Sequence, residues 1–256
     1  MNAALRAEWT KLRTQTSTTW LLLGALAATV GIGALAGAAT HESGIVSGGD
    51  ATRLSLAGIY VGQLVIAALA VTAIAEEYTT GMIRVTFSAQ PRRLSVLVAK
   101  AVNLSALTAI AGLAAVAGCL LIGRLMFPAD GLDPAHGYAL VSLGSGGLRA
   151  AAGSVIYLIL IALLALAIAG VMRDVGVSIG TVVGLLYVPP LLAQIVGGTL
   201  GEEIKRFAPM TAGLAIQHTT NVRTMPIQPW PGLAVLAGWT LAALLLAALL
   251  LKRRDA

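Results

Sequence analysis

The chain reads as six long apolar runs separated by short polar breaks, at about 20–39, 54–75, 96–122, 150–172, 175–196 and 232–251. Each is close to or above the roughly 20 residues that an α-helix needs to cross a bilayer core. Gly, Pro, Asp and Ser crowd the breaks, as expected of turns. The fourth and fifth runs are parted only by Arg173-Asp174, which predicts an antiparallel hairpin. The third is longer than a bilayer requires, which predicts tilt or protrusion. Two stretches follow a different pattern. In residues 1–18, Leu5, Trp9 and Leu12 recur at helical spacing opposite Arg6, Lys11 and Arg13, the signature of an amphipathic helix lying on the membrane surface. It is too long and too patterned for the basic start of a cleaved signal peptide. Residues 76–95 mix Tyr78, Met82, Ile83, Val85 and Phe87 with Arg84 ahead of Pro91. That suits either a short amphipathic helix offered to a partner or an ordinary loop resting on lipid. The predicted fold is all-α and integral to the membrane: an interfacial helix in 1–18, then a six-span domain in 19–256.

Composition narrows the class. Of 256 residues 57% are apolar and 11% charged, too few charges to cover the surface of a soluble protein. Disorder is excluded by the same hydrophobicity. The net charge of +6 is spread along the chain, and aromatics are only 5%, which argues against a nucleic-acid surface. With the N-terminus inside, eleven Lys and Arg fall on the cytoplasmic side and six on the other. Both termini are therefore predicted to be cytoplasmic. The lone Cys119 excludes an intrachain disulfide.

Catalytic chemistry is not found in the sequence. The spans carry no ionisable residue near their centres, where an ion-coupled carrier needs one. Gln63, Asn103 and Gln194 are their strongest polar groups, and Gln63 and Asn103 are read as interhelical hydrogen-bonding residues. There is no phosphate-binding G-x-x-x-x-G-K-[ST] loop, and Gly144-Ser145-Gly146-Gly147 has the wrong spacing for a nucleophile elbow. His41, His136 and His218 fall on three separate external loops and are read as solvated. Glu76 and Glu77 are adjacent, so on a helix they point about 100° apart and do not converge on one bond. No catalytic, cofactor or metal residue is assigned.

The run Glu76-Glu77-Tyr78-x-x-Gly81-x-x-Arg84-x-x-x-Ser88-x-x-Pro91-Arg92-Arg93, with Lys100 in the next span, resembles the first cytoplasmic loop of ABC type 2 transporter permeases. The N-terminal Glu8-Trp9-Thr10-Lys11-Leu12-Arg13, the six spans, the longer external segment before the last span and the basic tail extend the resemblance to the layout of the whole chain. The resemblance implies a bacterial exporter subunit in the plasma membrane. Two copies of a separate ATP-binding subunit hold ATP and Mg, and a second copy of this permease or a similar one completes the pair. Residues 77–88 of loop 76–95 become the coupling helix, with Tyr78, Met82 and Phe87 as docking contacts, Arg84 as a polar contact and Gly81 permitting a tight turn. Glu77 either caps that helix or pairs with a basic residue. Trp9, Lys11 and Arg13 belong to the connecting helix. Segment 198–230 resembles the external re-entrant helices of the family, with short helices at 199–207 and 208–217 and capping-box spacing between Thr199 and Glu202.

Gly176, Gly180 and Gly184, and Gly33 and Gly37, recur every four residues and let another helix approach closely. They serve either the dimer contact or packing within one subunit. Pro189-Pro190 predicts an interruption of the fifth span. An apolar or amphipathic substrate is expected, with no substrate-binding residue assigned. The competing reading is an ATP-independent membrane scaffold or immunity-type interaction protein.

Overall fold

A computed structural model describes residues 2–43, 50–89, 93–126 and 144–253. Their regular elements are all helical: α1 (Asn2–Thr14), α2 (Thr16–Ser43), α3 (Ala51–Ser55), α4 (Ile59–Thr79), α5 (Met82–Ala89), α6 (Arg93–Met126), α7 (Ser145–Met172), α8 (Val175–Val196), α9 (Gly198–Phe207), α10 (Pro209–Leu214) and α11 (Pro229–Arg253). Six stretches are long and apolar enough to cross a membrane: Thr16–Ala39, Ala51–Thr79, Leu94–Met126, Ser145–Met172, Val175–Val196 and Pro229–Arg253. The described residues are those of an all-helical, multi-pass membrane protein. Its spans overrun the apolar runs by a few residues because helical hydrogen bonding continues into the interfacial zone. The third, 33 residues long, extends ~50 Å at 1.5 Å per residue.

α4 and α7 form the centre. Their most apolar stretches are 61% and 67% buried, against 17% in α8 and 22% in α2 and α11. α4 lies against α2, α7 and α8, while α7 also packs on α6 and α11. Lipid is as apolar as leucine, so these helices associate through close packing. α7 accordingly buries Ala150, Ala162, Ala165, Ala167 and Ala169 completely.

The tightest crossing is between α2 and the start of α4. A Cβ at Gly58 would lie 1.7 Å from the Thr29 carbonyl oxygen, and one at Gly62 1.9 Å from Thr29 Oγ1. Gly33 faces Ser55 O, which a Cβ there would approach to 2.4 Å. Gly33 thus serves packing within the subunit, with Gly37 one turn further along α2. The α8 glycines differ: Gly180 and Gly184 have nothing within 4 Å of a Cβ position, and Gly176 only the Asp174 carboxylate at 3.5 Å.

The α7–α8 hairpin is built by the two residues between the helices. Arg173 closes α7 in the left-handed region at φ 60°, its N–H bonded to Ala169 O, and Asp174 caps α8 by accepting from the Val177 N–H at 2.8 Å. Two local expectations are corrected. α8 runs unbroken through Pro189 and Pro190 to Val196. Proline at helical φ removes donors without forcing a break, and such prolines are tolerated in membrane helices. The Thr199–Glu202 capping box does not form either: Gly197, at φ 60°, is the N-cap of α9 and Thr199 lies inside the helix. The two short helices of segment 198–230 are α9 and α10, the latter extended by a 3-10 turn at Ala215–Gln217.

Candidate functional site

Lys100 lies two turns into α6, in an otherwise apolar stretch. An isolated ammonium there is costly, so it needs partners of opposite charge. Lys100 Nζ donates to Glu8 Oε2 of α1 at 2.7 Å, to Glu77 Oε1 of α4 at 2.6 Å and to the Ala73 carbonyl at 2.9 Å. The side chains are 3%, 9% and 6% exposed for Lys100, Glu8 and Glu77. Lys11 of α1 donates to the same Glu77 oxygen. Glu77 is thus paired with two basic residues, while its other oxygen, Oε2, is buried with no hydrogen-bond partner among the described residues. Around this core Gln15 Nε2 donates to Glu76 Oε2 at 3.1 Å, and Asn103 Nδ2 to Leu5 O at 2.8 Å. Helix α1 is therefore tied to α4 and α6 through charged and polar side chains.

α5 follows directly. Gly81 sits at φ 71° between α4 and α5, a conformation glycine adopts without steric cost. Ile83 is buried at 3%, whereas Met82 and Val85 are 50% and 66% exposed. α5 therefore anchors one apolar residue and displays two. Tyr78 turns inward instead: its ring packs against the core, with the Arg173 guanidinium 4.9 Å from its centroid, a cation–π contact that brings the α7–α8 turn into the junction. Arg84 and Phe87 lie on α5, but their side chains lie outside the described residues. On α1, Trp9 and Arg13 are exposed. A cleft of about 250 Å³ opens between α1 and the α4–α5 corner, lined among others by Glu8, Lys11, Gln15, Glu76, Glu77 and Met82.

Among the described residues no three His, Cys, Asp or Glu side chains are grouped to hold a metal. The junction instead places α5, with Met82 and Val85 displayed, beside the ends of α4 and α6 and beside α1. The sequence reading missed Glu8 and Lys100 as the centre of this junction. The available signal was one lysine inside an apolar span, which demands a carboxylate from elsewhere.

The opposite end, bearing α9, holds the other polar groups. Gln63 is fully buried; Tyr157 Oη donates to its Oε1, and its Nε2 donates to Tyr187 Oη at 2.9 Å. Its amide is thus engaged between α4, α7 and α8, as an interhelical residue should be. Asp50 accepts from the Arg53 N–H at 3.1 Å, from Thr219 Oγ1 at 2.6 Å, from the Thr220 N–H at 3.2 Å and from the Thr219 N–H, pinning the segment after α10 to the start of α3. Arg149 Nη2 donates to His218 O at 2.5 Å.

His218, expected to be solvated, is only partly exposed. Burial, and then the nearby Arg53 charge, push its imidazole down to about 4, with Asp50 opposing. His136 and the side chain of His41 lie outside the described residues. Below about pH 6.5 the unfolded chain takes up a proton at His218 that the folded chain refuses until about pH 4, so stability is lost as pH falls through that window. The melting temperature in detergent should fall more between pH 6.5 and 4 for the wild type than for His218→Gln. Parallel curves would reject this.

No protein-family sequence model matches this chain, and no curated protein matches it in sequence.

Proposed function

We propose that this chain is the permease subunit of an ATP-driven ABC type 2 exporter in the bacterial plasma membrane, with both termini cytoplasmic. Two copies of a separate ATPase, carrying ATP and Mg, dock at α5, and a second permease copy or a similar chain completes the pathway. The open glycine face of α8 suits that second copy. The substrate is apolar or amphipathic, and it leaves the cytoplasm or inner leaflet by alternating access.

One observation carries the reading: the buried Lys100–Glu8–Glu77 junction lies beside the displayed α5. A force applied by a partner at Met82 and Val85 meets a set of ion-paired helices rather than a loose loop. Displacing α5 therefore displaces α1 and the inner ends of α4 and α6, which is what coupling requires. Spans without central charges are consistent with energy arriving from outside the chain.

Purification of the tagged chain from its native membrane in mild detergent at low salt, with an assay for co-purifying ATPase activity, tests this. A stoichiometric ATP-binding subunit is expected. Met82→Asp or Val85→Asp should weaken its retention about thirtyfold, the loss of ~2 kcal/mol typical of a central contact, with helical content unchanged. A folded chain that brings down no ATPase ends the reading in favour of an ATP-independent scaffold.

A further inference from the structure

At the α9 end a second cleft of about 200 Å³ opens beside the end of α8. Arg53 of α3 and Lys205 of α9 supply its positive charge, Tyr60 lines it from α4, and Leu214, Met225 and Ile227 make its apolar side. Arg53 is exposed and its guanidinium forms no ion pair among the described residues. The neighbouring Asp50 forms no ion pair with it: both Asp50 oxygens accept from backbone N–H groups and the Thr219 hydroxyl. Among the described residues the Lys205 ammonium pairs with Glu202 alone, at 3.1 Å and with both side chains well exposed, a pairing weak enough to yield to another anion. Gln194 also lines the cleft, and next to it on α8 Leu191 and Ile195 are 57% and 80% exposed.

Cationic groups over an apolar wall, beside aliphatic side chains open to the surroundings, fit an anion attached to a hydrocarbon chain. A soluble anion would make no use of the apolar side. We propose that this cleft holds one anionic phospholipid, its phosphodiester between Arg53 and Lys205 and its acyl chains along Leu191 and Ile195. The assignment does not depend on an ATPase partner. Arg53 is the principal determinant, because Lys205 already has a carboxylate nearby.

The test is native mass spectrometry of the purified chain equilibrated with equal amounts of phosphatidylglycerol and phosphatidylcholine. Preferential retention of one phosphatidylglycerol is expected. Arg53→Gln should lower that preference about fivefold, the worth of one basic side chain against an anionic headgroup, and Arg53→Lys should preserve it. Equal retention of the two lipids, or an unchanged preference in Arg53→Gln, overturns the proposal. Release of the lipid by millimolar inorganic phosphate overturns it too, in favour of a free-phosphate site. Should Arg53→Gln melt differently from the wild type, Lys205→Gln, read the same way, decides.

Discussion

Lys100→Met is expected to destabilise the protein by about 3–5 kcal/mol, the cost of leaving buried charges without their partner. The substitution keeps the length of the side chain and its fit between α4 and α6, so the loss reports charge rather than volume. It leaves Glu8 with no cation among the described residues and Glu77 with Lys11 alone. Glu8→Gln alone should cost less, because Lys100 retains Glu77. Adding Glu8→Gln to Lys100→Met should recover part of the loss. Denaturant titration in detergent micelles measures all three. A loss below about 1 kcal/mol for Lys100→Met, the level of an exposed pair, would mean that the junction is solvated and that α1 is not held by it. Under the proposed function the same variant should retain the ATPase while uncoupling its hydrolysis from transport, since α5 remains displayed.

Gly58→Ala carries the second large effect. Gly58 ends a 3-10 turn and caps α4 at an ordinary helical φ of −59°, so backbone conformation does not by itself exclude alanine there. Here the new methyl would overlap the Thr29 carbonyl, a backbone atom of a neighbouring span that cannot rotate away. α2 and α4 must separate, and a loss of about 3 kcal/mol, the upper end of overpacking, is expected. Gly180→Ala is the matched control: nothing lies within 4 Å of its Cβ position, so an isolated subunit should gain up to about 1 kcal/mol. If α8 meets a second copy through that face, Gly180→Ala should shift the dimer toward monomer in size-exclusion chromatography while the melting of the monomer rises. Equal effects of the two alanines would reject the crossing described for α2 and α4.

These variants mark where reading the sequence succeeds and where it stops. Gly33 and Gly180 belong to repeats with the same four-residue spacing, yet one abuts Ser55 O and the other faces open space. Spacing states which face a glycine is on; it carries no information about what that face meets. Pro189-Pro190 reads as a break, but α8 continues, because proline keeps a helical φ and the backbone groups it leaves unpaired are tolerated in a membrane helix. Thr199 has the right offset from Glu202 for a capping box, but Gly197 takes the cap through its backbone geometry. Tyr78 lies in a motif that reads as a docking surface, and Arg173, almost a hundred residues later, turns it inward.

What the sequence determined by itself is local and solvent-driven. Long apolar runs must be helical in a bilayer, because only a helix satisfies each backbone group within its own segment. The number of helices long and apolar enough to span, their limits to within a few residues and the hairpin at Arg173-Asp174 follow from that constraint. The tertiary structure alone decided which helices are central, which glycines make contacts, and that Glu8, Glu77 and Lys100 meet at one point. Those outcomes depend on the arrangement of helices that are all apolar enough to face lipid. Hydrophobicity therefore does not specify which helix pairs with which. Close packing and the pairing of a few buried charges do, and both act between residues far apart in the chain.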